Sequence, residues 1–407
     1  MNQLDKLIQE LCPYGVKFKP IKEEYQRLKG TPITAAKMKE IEALDGDIRI
    51  FAGGKTVIDA YEKDIPKANI IRVPAVVVQS RGVIDAVYYE KPFTFKNEMW
   101  AYTHKNKIAV KFLYYVLKNN IGKFRDAASG MGSLPQISLR VTEDFEMPVP
   151  PMEVQQEIVR VLDQFTELTA ELNTKLTEEL TARKKQYEHY RDELLTFADD
   201  VPLVTLGDVA VVTKLAGFEF TKYVRYADSG KIIALRGLNV KNGKLDLTDV
   251  KYIDNSDFPK LTRSKLHIGD MLFTYVGTIG QVALIDKEEK YYLAPNVALI
   301  RSVDDRLSPQ YMRYYFQSRN FWKTQINKLL QSSSMQNIPM EKIRKFAIPL
   351  PSLEEQHRIV SILDRFDTLC NDLTNGLPAE IEARQKQYEY YRDKLLTFER
   401  SGSASNE

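Results

Sequence analysis

Gly53-Gly54-Lys55-Thr56 is the stretch that most invites a chemical reading, because two glycines ahead of Lys-Thr are how a phosphate-binding loop cradles a nucleotide. The full pattern also needs a glycine five residues before Gly54, where Arg49 stands, so a hairpin turn is the expected structure. Asp286, Glu288 and Glu289 beside Lys290 have the residue types of a nuclease centre, but such a run is what a solvated loop carries, and a loop is expected. The sequence holds no GxSxG elbow, no HExxH helix and no GxGxxG turn. It also has no Asn/Asp-Pro-Pro-aromatic segment of the kind amino-methyltransferases use to hold a target base. Cys12 and Cys370 form no CxxC pair, and only four histidines are present, so neither a disulfide scaffold nor a metal site is expected. The chain is expected to be no enzyme by itself: catalytic residues none, metal none.

What remains is binding chemistry, and charge shows where it lies. Residues 1–150 carry 23 basic against 18 acidic side chains, and residues 200–350 carry 22 against 15. The intervening residues 151–199 carry 6 against 11, and residues 351–407 carry 7 against 11. The modest net charge of +3 therefore hides two basic segments alternating with two acidic ones. Basic modules suit a phosphate-bearing partner; acidic segments suit proteins. The composition, 43% hydrophobic and 28% charged, is that of a soluble globular chain. The N-terminus lacks the pattern of a signal peptide, and no apolar run approaches the ~20 residues of a membrane span, so no membrane and a cytoplasmic location are expected.

The acidic segments are copies of each other. Residues 147–198 and 348–399, offset by 201, share 26 identities in 52 positions. Pro148, Pro150, Gln155 and Phe165 recur as Pro349, Pro351, Gln356 and Phe366, and Gln186–Phe197 recurs as Gln387–Phe398. Apolar residues at steps of three and four, from Ile158 to Leu194 and from Ile359 to Leu395, mark one face of a long helix in each copy. Neither helix can bury such a stripe alone, so the two are expected to pair, with the Tyr and Leu stripes as core. Gly376 and Pro378 predict a kink near 375–378 in the second copy.

The basic segments match only as patterns: Val76–Val87 resembles Met271–Val282, with Gly82 against Gly277, and Asn97 against Asn296. They read as mixed α/β, with strands at Ile48–Phe51, Val73–Val78, Ile232–Leu235, Met271–Tyr275 and Val297–Arg301, and helices at Val110–Asn119 and Pro309–Arg319. The expected fold class is α+β (mixed α/β): two globular domains alternating with two long antiparallel coiled-coil helices in a pseudo-two-fold internal repeat. The expected boundaries are 1–150, 151–198, 199–350 and 351–399, with 400–407 a disordered tail.

Each helix is entered through Pro-x-Pro-x-x-x-x-Gln and ends in Lys-Gln-Tyr-Glu-x-Tyr-Arg-Asp-x-Leu-Leu-Thr-Phe. With Leu377-Pro378-Ala379-Glu380-Ile381 in the second copy and Leu11-Cys12-Pro13-Tyr14-Gly15 near the start, the chain resembles the specificity (S) subunit of type I restriction–modification systems. The first helix departs from that pattern at Leu176–Thr181. The resemblance implies that each basic domain is a target recognition domain reading one half of a bipartite, asymmetric, gapped site in double-stranded DNA. It implies that the helices set the gap and dock two methyltransferase (M) subunits, which restriction (R) subunits join. It places S-adenosylmethionine, ATP and Mg in those partners and no cofactor in this chain. Two other readings are open: a coiled-coil adaptor with two protein-binding modules, and a stand-alone DNA methyltransferase or nuclease.

Side chains able to pair with bases from loops and element ends are the candidate DNA contacts. In the first domain they are Lys55, Arg81, Asn97, Lys123, Arg125, Ser129, Ser133 and Gln136. In the second they are Lys214, Arg236, Asn239, Tyr275, Thr278, Gln281, Asn296, Ser334, Gln336 and Asn337. The candidate partner-binding residues on the helices are Gln186, Tyr190, Arg191, Gln387, Tyr391 and Arg392.

Overall fold

The computed structural model describes residues 3–129, 134–198, 200–215, 217–331, 337–371 and 376–401. The chain divides into two units: Met1–Lys175 with Ile381–Glu407, and Leu176–Glu380.

In the first unit, helix α1 (Gln3–Leu11) precedes β1 (Lys17–Pro20), β2 (Gln26–Leu28), β3 (Ile48–Phe51), β4 (Val57–Ala60), β5 (Ala75–Gln79), β6 (Asp85–Tyr89), β7 (Phe93–Phe95) and β8 (Trp100–Thr103). Helix α2 (Lys107–Asn119), strand β9 (Glu146–Val149) and the 43-residue helix α3 (Met152–Leu194) follow. One sheet has the order β2-β8-β5-β6, a second β4-β3-β7 with β3 parallel to β7, and β1 pairs with β9. The first four residues of β5 are apolar, and both its faces are covered. Val76 and Val78 pack in a core with Val110 and Leu113 of α2, while Ala75 and Val77 pack with Phe51, Phe93 and Phe95. The two-residue period of a strand divides one apolar run between two cores. α2 begins where the Asn106 side chain accepts a hydrogen bond from Ile108 N at 2.8 Å.

The second unit repeats this plan. Its strands are β10 (Leu203–Thr205), β11 (Ala210–Lys214), β12 (Ile233–Leu235), the hairpin β13 (Val240–Lys241) and β14 (Lys244–Leu245), β15 (Lys251–Tyr252), β16 (Met271–Thr274), β17 (Val282–Leu284), β18 (Tyr291–Leu293), β19 (Val297–Ser302) and, after helix α4 (Pro309–Gln317), β20 (Ala347–Pro349). The orders β11-β19-β16-β17 and β15-β12-β18, with β12 parallel to β18 and β10 paired to β20, reproduce those of the first unit strand for strand. Met271 and Phe273 of β16 pack with Tyr311 and Phe316 of α4, and Leu272 packs with Leu235 and Tyr291. Ser308 caps α4, with Pro309 at its first position.

Two further helices, α5 (Leu353–Asn371) and α6 (Leu377–Leu396), complete the repeat. The predicted kink at 375–378 falls between them, and residues 372–375 lie outside the described ones. In the first unit, the beginning of α3 runs antiparallel to α6: Phe165 lies 5.9 Å from Tyr391 between ring centroids, and Thr166 Oγ1 lies 3.0 Å from the Tyr388 hydroxyl. In the second, α5 runs antiparallel to the end of α3, with Phe366 stacked on Tyr190 at 5.4 Å. Both modules are fastened to their helices at equivalent aspartates. Asp163 accepts from Lys111 Nζ at 2.7 Å and the Tyr115 hydroxyl at 2.5 Å. Asp364 accepts from Arg313 at 3.1 Å and the Tyr314 hydroxyl at 2.6 Å. At the other helix of each pair, Asp393 accepts from Asn119 Nδ2 at 2.9 Å, and Asp192 accepts from the Arg319 backbone N at 2.8 Å.

One expectation stands and two are corrected. Thr56 O accepts from Ala52 N, and the Gly53–Thr56 stretch joins β3 to antiparallel β4; no helix follows it, so the hairpin reading stands and the phosphate loop does not. The helical stripe is not all core: Leu168 is 60% and Leu172 36% exposed. The tail does not begin at 400. Val16 N donates to Glu399 O, Ser401 N donates to Val16 O, and Arg400 pairs with Glu146 at 2.5 Å, which ties 399–401 to the first module.

The glutamine of the Pro-x-Pro-x-x-x-x-Gln entry clamps the start of each long helix. Gln356 Nε2 donates to Pro351 O at 2.9 Å and Arg306 O at 2.7 Å, and its Oε1 accepts from Ser308 N at 2.9 Å. Gln155 Nε2 donates to Pro150 O at 2.8 Å, but its buried Oε1 has no partner among the described residues. Because orphaning buried groups costs about 1–3 kcal/mol each, Gln356→Leu is expected to destabilise the protein by at least about 3 kcal/mol. Gln155→Leu, which removes an orphan as well as a bond, is expected to cost about 1 kcal/mol or less. Thermal unfolding of the two variants, compared with the parent, checks the difference.

Candidate nucleic-acid interface

In both units the same turn stands at the end of the main sheet. Strands β5 and β6 are joined through Gly82 (φ +78°), and β16 and β17 through Gly277 (φ +75°); each needs the left-handed backbone that glycine adopts without strain. The turn is pinned from behind by the segment that leads to the long helix. In the first unit, Arg81 bridges Gln136, Gly82 N donates to Pro135 O, and Ile137 N donates to Ser80 O. In the second, Val276 bridges Asn337, and Ile338 N donates to Tyr275 O. A second turn, between β7 and β8 or between β18 and β19, presents Asn97 or Asn296 beside it; Asn296 is itself left-handed (φ +68°).

These turns enclose a cleft in each unit. The cleft of the first unit, about 700 Å³, is lined by Gly53–Lys55, Arg81, Lys96 and Glu98, with Lys39 and Leu134. Lys96 and Glu98 pair at 2.8 Å. Lys39, Lys55 and Arg81 are exposed, and no hydrogen bond or ion pair of their side chains is found among the described residues. The cleft of the second unit, about 500 Å³, is lined by Arg236, Leu238, Val276, Thr278 and Asn296, with Tyr226. Thr278 and Asn296 are exposed, and Leu238 is 43% exposed.

The sequence-predicted residues divide accordingly. Lys55 and Arg81 line the first cleft; Gln136 bridges Arg81 and exchanges backbone bonds with Ser129 at 3.0 and 3.2 Å, and Asn97 lies between the lining residues Lys96 and Glu98. Lys123 and Arg125 are exposed on the short helix Ile121–Asp126, where Arg125 Nε donates to Ile84 O. Thr278, Asn296 and Asn337 gather at the second cleft. Ser133, Ser334 and Gln336 lie outside the described residues.

Four candidates are corrected by their surroundings. Asn239 is fully buried: its Oδ1 accepts from Arg236 N, and its Nδ2 donates to Asp246 O and Asp249 O, so it ties a loop together and has nothing left for a base. Arg236 lines the cleft, but its Nη2 donates to Asp249 O at 2.9 Å and Asp249 Oδ1 at 3.0 Å. Tyr275 is 8% exposed in the core, under Lys214 Nζ at 5.6 Å; burial pushes its phenol pKa up, opposed by a hydrogen bond from the Asn296 backbone. Gln281 Oε1 accepts from Asn242 N. On the helices, Arg392 is held by Asn119 Oδ1 at 2.9 Å and by the Tyr388 ring, and Arg191 by Asp192 and the Tyr187 ring, so both serve this chain's own packing. Gln186 and Gln387 accept from Arg183 and Arg384. Tyr190 and Tyr391 are 37% and 41% exposed while stacked on Phe366 and packed on Phe165.

Sequence reading missed Lys39, Lys96, Glu98, Leu134 and Leu238. Glu98 adjoins Asn97 and Leu238 adjoins Gly237, which are signals of a sort; Lys39 is brought in by tertiary structure alone. It also missed Tyr390, 63% exposed within the repeated motif.

The sequence model of the type I restriction modification DNA specificity domain matches this chain twice, over residues 6–182 and 199–383. A protein of Haemophilus influenzae assigned to the type I restriction enzyme specificity subunits is 35% identical over 314 residues, covering 74% of this chain and 77% of its own. The EcoR124I/EcoR124II specificity subunit of Escherichia coli is 32% identical over 314 residues, covering 74% of each chain. Among solved structures, a chain from a study of complex assembly in the type I R-M system superimposes with a TM-score of 0.62 at 15% identity, over 94% of this chain and 97% of that one. The HsdS subunit of Thermoanaerobacter tengcongensis gives 0.52 at 14% identity, over 95% and 96%. Among the described residues, no helix is long and apolar enough to cross a membrane. Two matched domains with one shared fold, each ending in a long helix, place the chain among the DNA specificity subunits of type I restriction–modification systems.

Proposed function

We propose that the two clefts are the reading faces of this specificity subunit, one for each half of an asymmetric, gapped DNA site. The observation that carries this is the pinned turn: its backbone is the same in both units, while the side chains around it differ almost completely. A constant scaffold bearing variable polar groups is what base readout by two heads of different specificity needs. The basic balance of both modules supplies the attraction to phosphate. Catalysis falls to other subunits in this reading: methyltransferase subunits with S-adenosylmethionine, and restriction subunits with ATP and Mg, all in the cytoplasm. Long-read mapping of modified bases in the host, with and without this gene, is expected to show one gapped, asymmetric motif that loses modification when the gene is removed. An unchanged pattern would overturn the assignment.

The helices set the gap in this reading. Four residues make nearly one whole turn and lengthen a helix by about 6 Å, which is at most about two base-pair rises of DNA. Inserting four helix-forming residues after Lys175 is expected to widen the gap by one or two base pairs and leave both halves unchanged. Mapping the motif of that variant checks it, and a gap of the original length would sink the ruler.

The methyltransferase docks on the helix pair, at the exposed part of the stripe. Phe165, Leu168, Leu172, Gln387 and Tyr391 line a groove of about 200 Å³ in the first unit. Apolar side chains left this open on a solvent-facing helix suit a protein partner. Leu168→Glu is expected to weaken co-purification with the methyltransferase at least tenfold without lowering the melting temperature of the isolated subunit.

A further inference from the structure

The two clefts occupy equivalent places, yet they offer opposite chemistry. The first is lined by Lys39, Lys55, Arg81 and Lys96 against Glu42 and Glu98. Among the described residues, the second has a single cationic side chain in its lining, Arg236, and that guanidinium is already bonded to Asp249. The contrast extends to how each group is held. Arg81 stands on a turn fixed by backbone bonds from Gly54 N to Arg81 O at 2.9 Å, from Gly82 N to Pro135 O at 2.9 Å and from Ile137 N to Ser80 O at 2.9 Å. Its side chain is exposed, with no hydrogen bond or ion pair among the described residues. A planar fork of donors on a rigid base is suited to a target of defined geometry, whereas Lys39 and Lys55 are point charges on flexible stems and suit phosphates. The base edge that matches an arginine fork is guanine O6 and N7 in the major groove.

The second cleft lacks such a fork. Its exposed polar groups are the Thr278 hydroxyl, the Tyr226 phenol and the Asn296 amide, the last on a left-handed backbone and without a side-chain partner among the described residues. Beside them the Leu238 side chain is exposed. An asparagine amide matches adenine N6 and N7, and an aliphatic side chain matches the thymine methyl.

Building on the bipartite reading above, we propose that Arg81 of the first cleft specifies a G·C pair in one half-site, and that Asn296, with Leu238, specifies an A·T pair in the other. Leu134, 54% exposed beside Gly82, closes the first cleft but takes no part in this assignment.

The test maps the modified motif directed by the whole complex containing the parent subunit, Arg81→Gln, Arg81→Lys and Asn296→Ala. Arg81→Gln is expected to make one G·C position of one half degenerate and leave the other half intact. Arg81→Lys, which keeps the charge and loses the fork, is expected to relax the same position. Asn296→Ala is expected to relax an A·T position in the opposite half. Discrimination at each affected position should fall by at least tenfold. Unchanged motifs, relaxation at an A·T pair for Arg81, or relaxation in both halves from one substitution would overturn the proposal. If a variant abolished modification, its binding to duplexes with single substitutions in the parent motif would be measured instead; equal loss across all duplexes would make Arg81 a phosphate contact and overturn the assignment. Absence of any gapped motif with the parent subunit would instead strike the bipartite reading itself.

Discussion

A helix of 43 residues with an apolar stripe is not stable alone in water and needs much of that stripe covered. The chain meets this constraint by dividing the cover. The part of α3 up to Lys175 belongs to the first unit and meets α6; the part from Leu176 belongs to the second and meets α5. The repeated aspartates follow from the same need. Asp163 and Asp364 receive a tyrosine hydroxyl and a cation from the module at the start of each helix, and Asp393 and Asp192 receive a backbone or amide N–H at the end. Two helices that perform one packing job in two places are held to one sequence, which is why half of their positions are identical.

The modules answer to a different constraint. Their strands are ordered alike and their central strands are split between two cores in the same way, so the fold is shared although the sequences diverge. What is kept at the edge of each cleft is backbone: two left-handed glycines, and two bridges from the turn to the segment before the long helix. Backbone bonds do not depend on side-chain identity, so the groups that face a ligand are free to differ while the platform under them stays put.

The repeat, the long helices, the strands at Ile48–Phe51 and Val297–Ser302 and the alignment of Gly82 with Gly277 were legible because each rests on local pattern. Individual candidate residues at the clefts were less so. Asn239 and Asn296 are the same residue type on neighbouring loops of one module, but one is buried with its amide bonded, and the other is exposed with no side-chain partner among the described residues. Arg81 and Arg236 differ in the same way, and the difference lies in Asp249, thirteen residues along the chain from Arg236. Hydrogen-bond partners of this kind are made by tertiary structure, and no periodicity announces them. The exposed middle of the helical stripe was misjudged for a related reason: an apolar face looks alike whether the chain or another protein covers it.

Lys39, Lys55 and Arg81 line one cleft, and among the described residues none of the three has an ion pair, although Glu42 and Glu98 line the same cleft. Like charges gathered in a concavity repel one another, and water and salt relieve that repulsion only in part. The first module is therefore less stable empty than a neutral cleft would leave it, and a polyanion bound there would discharge the difference. Such a ligand would act as a missing structural component, and the second module, with one neutralised arginine in the corresponding place, would have no such dependence.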